Sequence, residues 1–410
     1  MDLPIRVLVV DDSAFTRKVV SDMLGSDPDI VVVDVARDGR AAVEKARALR
    51  PDVITMDVEM PVMDGLAALR AIMADHPVAV VMLSALTQQG AATTIQALEL
   101  GAIDFVPKPS HSMTVGLGDI RDQLVAKVKL AAGAKVRVPR ALRPGRVGAI
   151  GGLPPGPGPG GGGRDPRRAD GETARPGQGG VAHVGPDRHV GDAARREAFP
   201  SAPWVPTPVP TSAPAPVQRR ESDIAIVIGS STGGPSALNQ VLTALPADIG
   251  AGILVVQHMP AGFTRSLAAR LDESSAIAVK EAEAGDRVVD GVALVAPGGH
   301  HMSITGEGEV ALSTDPPRNG VRPSVDTTME SAARVYGDRL VGVVLTGMGR
   351  DGASGVAAIK AAGGRSIAEH ESTCVIYGMP KAVIEQGLAD VVVPLHEVAG
   401  AIIELVREIG

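Results

Sequence analysis

The chain has 410 residues, enough for two domains that each bury an apolar core. Its single cysteine, Cys374, excludes an intramolecular disulfide framework and any multi-cysteine zinc site, and fits a reducing, cytoplasmic setting. The formal net charge of −7 is uneven: residues 134–222 carry 14 basic and 7 acidic side chains and the rest 26 and 40, so the folded parts offer no general nucleic-acid surface.

The amino terminus, "MDLPIRVLVVDD", lacks a basic region followed by a long apolar stretch. No run reaches the roughly 18 uninterrupted apolar residues of a membrane span. The expectation is a soluble, unexported chain without membrane insertion.

Up to residue 133, five β-branched runs, "IRVLVV", "IVVVDVA", "DVITMD", "VAVVMLS" and "AIDFVP", alternate with helical patterns such as "TRKVVSDML" and "RAAVEKARAL". That alternation predicts a (βα)5 parallel sheet with helices on both faces. Such sheets hold ligands at the carboxyl ends of their strands, and here that edge is acidic. Asp11 and Asp12 end the first strand, Asp57 ends the third, Ser84 ends the fourth, and Lys108 follows the fifth. Converging carboxylates need a hard cation, and Mg2+ with oxygen ligands suits them. Lys108 and the Ser84 hydroxyl can then hold phosphoryl oxygens while Asp57 accepts the group. A single Asp in such a place is more often a helix cap; the ordered set argues against that reading.

The segments "LVVDDS", "ITMDVEMPVMDG", "MLSA" and "FVPKPS" resemble a response-regulator receiver domain. That resemblance implies Asp57 as the phosphorylation site, Asp11, Asp12 and Asp57 as the Mg2+ ligands, Ser84 and Lys108 as supporting residues, and Phe105 at the switch-aromatic position.

Residues 134–222, with "LPPGPGPGGGG" and "APWVPTPVPTSAPAP", lack helical or alternating periodicity and read as a flexible Gly/Pro-rich linker. Their basic excess serves solvation or contact with an acidic partner.

From 223 to 410 strands resume with "DIAIVIG", "GILVVQH", "RLVGVVLTG", "RSIAEH" and "ADVVVP". The Gly-punctuated stretch 283–314 reads as a β-hairpin region, so the expected domain is a doubly wound, mostly parallel α/β sheet with an antiparallel hairpin. The loop "GSSTGG" lacks the G-x-G-x-x-G and Gly-Lys-Ser/Thr patterns of nucleotide sites. A serine on a strand-to-helix turn can instead act as a nucleophile beside a helix amino terminus. His258 closes the next strand as a base, and Asp351 lies near the end of a later one as the acid that orients it. The order Ser, His, Asp and the missing G-x-S-x-G separate this arrangement from α/β-hydrolases. Spacing alone allows either Ser230 or Ser231.

"IGSSTGGP", "VVQHMPAGFTRSLAARL", "APGGHHM", "RPSVD", "VLTGMGRDGASG" and "YGMPKAV" together resemble the catalytic domain of the protein-glutamate methylesterases of bacterial chemotaxis, the CheB family. The resemblance implies Ser231 as nucleophile, His258 as base and Asp351 as orienting acid. It makes the Met348 N–H the oxyanion partner, with Thr232 beside the nucleophile. It further implies hydrolysis of glutamate methyl esters on methyl-accepting chemotaxis receptors, deamidation of receptor glutamines, and a chemotaxis histidine kinase as phosphodonor. No cofactor is implied for the esterase step. The linker reads as longer than is usual in that family. His300-His301 read as surface or loop residues rather than a metal pair, Arg265 as a substrate contact or a solvated helix face, and Cys374 as packing.

Overall fold

The structure, a computed structural model, describes residues 3–85, 87–108, 117–136 and 221–410. The linker reading falls outside these residues except at its two ends. In the amino-terminal part, strands β1 (Ile5–Val10), β2 (Ile30–Ala36), β3 (Val53–Asp57), β4 (Ala79–Ser84) and β5 (Asp104–Pro107) form one parallel sheet in the order β2-β1-β3-β4-β5. Helices α1 (Ala14–Gly25), α2 (Gly39–Leu49), α3 (Gly65–Asp75), α4 (Gln88–Glu99) and α5 (Leu117–Ala132) connect and cover it. Successive residues Val7, Leu8, Val9 and Val10 are all buried, as both covered faces require. The caps of α1 to α4 are Ser13, Asp38, Asp64 and Thr87, so Asp11, Asp12 and Asp57 are not used as helix caps.

The carboxyl-terminal part holds β6 (Ala225–Ser230), α6 (Gly234–Leu242), β7 (Gly252–Gln257), α7 (Phe263–Ser274), β8 (Ala278–Glu281) and β9 (Val292–Val295). There follow β10 (His301–Ile304), β11 (Val310–Ser313), α8 (Val325–Tyr336), β12 (Leu340–Val344), α9 (Ala353–Ala361), β13 (Arg365–Glu369), α10 (Met379–Glu385), β14 (Val391–Val393) and α11 (Leu395–Ile409). Seven strands pair in parallel in the order β14-β13-β12-β6-β7-β9-β8, while β10 and β11 form a separate antiparallel hairpin. The hairpin region is therefore smaller than the sequence suggests. Val292–Val295 joins the main sheet, with Ile253 opposite Ala293, because a four-residue apolar run carries no periodicity that separates a parallel partner from an antiparallel one.

Chain direction across the sheet reverses at β6, which pairs with β7 on one side and β12 on the other. The crevice at the carboxyl ends of these strands is where doubly wound sheets bind ligands. One buried apolar cluster runs from Leu8, Met56 and Met82 through Ile95 and Phe105 to Phe263, Leu267 and Ile226, joining the two sheets' cores. No helix among the described residues is long and apolar enough to cross a membrane.

Candidate functional site

Two sites emerge, one at the carboxyl edge of each sheet. In the first, ligand atoms of Asp11, Asp12 and Asp57 lie within 4.8 Å of one another. Asp11 and Asp57 are buried, Asp12 is exposed, and a cavity of about 650 Å3 lined by Asp12, Gln89, Thr93 and Lys108 opens beside them. Lys108 Nζ approaches Asp57 Oδ2 at 2.5 Å and Asp11 Oδ2 at 3.3 Å. Neither oxygen receives a hydrogen bond beyond this ion pairing, and three clustered carboxylates with unfilled acceptor positions fit a hard divalent cation. Ser84 ends the strand beside Asp57, with its hydroxyl engaged by Thr94 Oγ1 (2.7 Å) and the Gly90 carbonyl (3.2 Å).

Burial pushes the Asp57 carboxyl up to about 6; the Lys108 hydrogen bond and charge oppose this, and the Asp11 charge adds to it. A raised carboxyl binds its proton more tightly in the folded chain, so folding stability falls as pH rises from the ordinary carboxylate value to about 6, and the loss persists above it. In chelator-treated protein Asp57→Asn is therefore expected to unfold later than wild type at pH 8, by up to about 3 kcal/mol. Below pH 4 the advantage should vanish. Thermal unfolding checks this, and an equal difference at both pH values would overturn the assignment.

The second site surrounds the loop after β6. Ser230 ends the strand fully buried, its Oγ donating to Gln257 Oε1 (2.7 Å). Gln257 Nε2 in turn donates to the carbonyls of Ser231 (2.9 Å) and His258 (3.1 Å), joining the ends of β6 and β7. Ser231 stands partly exposed on the turn, with its N–H bonded to Thr346 O (3.0 Å). Two glycines permit this turn: Gly233 has φ +79, and a Cβ on Gly234 would lie 1.9 Å from Gln257 Oε1. The loop after β12 comes equally close, since a Cβ on Gly347 would lie 2.8 Å from Ser231 Cβ. Met348 follows it, its side chain half-exposed.

His258 Nε2 contacts Asp351 Oδ2 at 2.8 Å, and this leaves Nδ1 for the other side of the ring. Both side chains are almost fully buried. Asp351 also accepts from Val325 N (2.6 Å), Ser324 Oγ (2.9 Å), Asn319 Nδ2 (3.1 Å) and Asp326 N (3.2 Å). Burial alone would raise this carboxyl; the hydrogen bond and charge of His258, with the Val325 and Ser324 donors, outweigh it and hold it well below the usual carboxylate range. The crevice thus holds a partly exposed serine on the turn after β6 and a hydrogen-bonded His258–Asp351 pair, side-chain types that acyl transfer can use.

Thr232, beside Ser231, is not open to solvent. Its Oγ1 donates to Asp104 Oδ2 of β5 at 2.5 Å. The other Asp104 oxygen accepts from Lys127 Nζ and Phe105 N, both at 2.7 Å. Phe105 stacks on Phe263 at 4.4 Å between centroids, and Arg270 of α7 pairs with Glu99 of α4 at 3.0 Å. The β5 edge and α4 thus pack on the helix that follows His258.

Sequence reasoning singled out Ser231, Thr232, His258, Met348 and Asp351, and all lie around this crevice. It did not identify Gln257, Asn319, Asp326 or Asp104. "QHMP" and "RPSVD" offered a local signal for two of them, whereas Asp104 acts through a contact that no spacing encodes. Arg265 pairs with Glu281 (3.0 Å) on an exposed helix face, His301 is buried at the start of β10, and Cys374 is buried.

Residues 226–402 match the CheB methylesterase family, and residues 7–115 match the response regulator receiver domain. Over 405 residues the chain is 49% identical to the protein-glutamate methylesterase/protein-glutamine glutaminase of Symbiobacterium thermophilum, covering 99% of this chain and 98% of that one. A protein of the same description from Moorella thermoacetica is 47% identical over 436 residues, covering 100% of both. Both alignments run over nearly the whole of each chain. The solved catalytic domain of CheB methylesterase from Thermotoga maritima is 48% identical, with a TM-score of 0.44, covering 44% of this chain and 98% of its own.

Proposed function

The chain belongs to the CheB methylesterase family, with a response regulator receiver domain in front, and we propose that it is a protein-glutamate methylesterase/protein-glutamine glutaminase whose Ser231–His258–Asp351 site is controlled from Asp57. On this reading residues 1–133 are the receiver, 134–222 the linker and 223–410 the catalytic domain. The observation that carries the chemistry is the buried His258–Asp351 hydrogen bond beside the Ser231 turn.

With Nε2–H given to Asp351, His258 Nδ1 holds the lone pair. That nitrogen takes the Ser231 hydroxyl proton as Oγ bonds to the side-chain carbonyl of a methylated glutamate. The oxyanion forms beside the Met348 N–H and the residues that open α6. Collapse breaks the bond to methoxide, which takes the proton from His258 and leaves as methanol; a receptor glutamine releases ammonia by the same path. Water then attacks the acyl-enzyme, with His258 again as base, and glutamate is released.

The substrates on this reading are methyl-accepting chemotaxis receptors in their arrays, and the phosphodonor is a chemotaxis histidine kinase. Asp11, Asp12 and Asp57 would hold Mg2+, which neutralises the incoming phosphoryl group when bound. The Thr232–Asp104 bond and the Phe105–Phe263 stack support a resting state in which the receiver blocks the site. Adding a small phosphodonor with Mg2+ to full-length protein is expected to raise methanol release from methylated receptors about tenfold, in the range of typical coupling energies. Asp57→Ala should not respond, and Asp104→Ala should raise the unstimulated rate. Stimulation of Asp57→Ala, or an unchanged rate in Asp104→Ala, would overturn the control; no methanol from wild type in either state would overturn the activity.

A further inference from the structure

Asp351 is not the only carboxylate behind His258. Asp326, in the first turn of α8, is also buried. Its Oδ1 accepts from the N–H groups of Gly352 (2.8 Å) and Gly355 (2.7 Å), capping α9 from a neighbouring helix. Its Oδ2 and Asp351 Oδ1 share a single donor, Asn319 Nδ2, at 3.0 and 3.1 Å. A side-chain amide nitrogen carries two hydrogens, so each carboxylate can receive one.

The turn that holds Asn319 is well specified. Arg318 and Val321 exchange both backbone hydrogen bonds (3.0 and 3.1 Å), and the two residues between them, Asn319 and Gly320, have φ +54 and +78. This is the two-residue turn for which Asn-Gly is the favoured pair, since asparagine tolerates the left-handed region better than other side chains.

We infer that Asn319 is a positioning residue of the esterase site: its amide bridges Asp351 and Asp326, keeps the two like charges compatible, and holds Asp351 aimed at His258. The inference rests on the proposed Ser231–His258–Asp351 mechanism. The charged groups facing the pair are His258 from the end of β7, Arg318, which reaches Asp326 at 3.9 Å, and Glu330 of α8, which binds Arg318 at 2.5 Å. Burial pushes Asp326 up, the Gly355 N–H opposes this, and the Asp351 charge adds to it.

Removing the amide takes a positive dipole from the cluster, so its affinity for protons rises. Asn319→Gly keeps the left-handed turn and deletes only the side chain. In the full-length protein, activated by phosphodonor, this variant is expected to lose roughly ten- to hundredfold in kcat/KM, the equivalent of one hydrogen bond to a charged group. The acidic limb of its pH profile should move up by about half a pH unit or more, which a simple loss of packing would not cause. Adding Asp326→Asn removes the competing charge and should return the limb toward its wild-type position. Activity within twofold of wild type, a loss with no limb movement, or a limb still displaced in the double variant would each overturn the inference. His258→Ala is measured alongside. If it stays active, the mechanism fails and the inference with it; if it is inactive while Asn319→Gly behaves as wild type, the inference alone fails.

Discussion

Ser231→Ala is expected to lower methanol release from methylated receptors by at least about four orders of magnitude, the scale seen when a triad nucleophile is removed. Receptor binding should persist, because the residual crevice is unchanged. Ser230→Ala is the informative control. Ser230 Oγ is buried against Gln257 Oε1 and cannot reach a substrate, so its loss removes one buried hydrogen bond and leaves Gln257 Nε2 on the Ser231 and His258 carbonyls. It should lower stability by about 1 kcal/mol and turnover by less than about tenfold. Equal loss in the two variants would break the assignment of the nucleophile, and full activity in Ser231→Ala would end the covalent mechanism.

Asp351→Asn is expected to lower kcat by about 10^4-fold, as loss of the orienting acid does in comparable sites. Two physical effects combine. An amide opposite His258 Nε2 can donate to it, which places the ring proton on Nδ1, the nitrogen that accepts from Ser231 in the proposed mechanism. The amide also has no comfortable orientation: one Asp351 oxygen faces Val325 N and the other faces Asp326 N, so an NH2 group on either side meets a backbone donor. A stability loss of about 1–3 kcal/mol should therefore accompany the kinetic one. The sign of the pH dependence is also set. A carboxyl held below the usual range contributes stability that is complete above the ordinary carboxylate value and is lost only on acidification through its lowered value. The wild-type acidic limb therefore does not come from Asp351. Turnover within tenfold of wild type in Asp351→Asn would refute the orienting role.

Much of this was legible in the linear sequence. β-branched, apolar runs marked ten of the strands as sequence segments, because strands buried on both faces must be apolar throughout, as Val7 to Val10 and Ile226 to Ile228 are. Strand-end residues marked both sites for the same reason: chemistry at a parallel sheet's carboxyl edge comes from residues that directly follow an apolar run. Asp11 follows one and Asp57 closes one, while Ser231 and His258 come one residue later, after Ser230 and Gln257. The serine choice was not legible from spacing. It depends on which hydroxyl turns into the sheet, and Gln257 captures that of Ser230.

By itself the sequence determined the two α/β halves, the acidic edge, the catalytic candidates and the family, since each is written in short-range patterns and local motifs. Only the tertiary structure decided the rest. It placed Val292–Val295 within the main sheet, gave Asp351 its five donors, brought Asp326 behind it through Asn319, and set Asp104 against Thr232 across 128 positions. Each of these joins residues far apart in the chain, and a hydrogen bond between such residues leaves no periodicity or composition for a sequence to display. It exists only once the packing of both sheets has brought the partners within about 3 Å of each other.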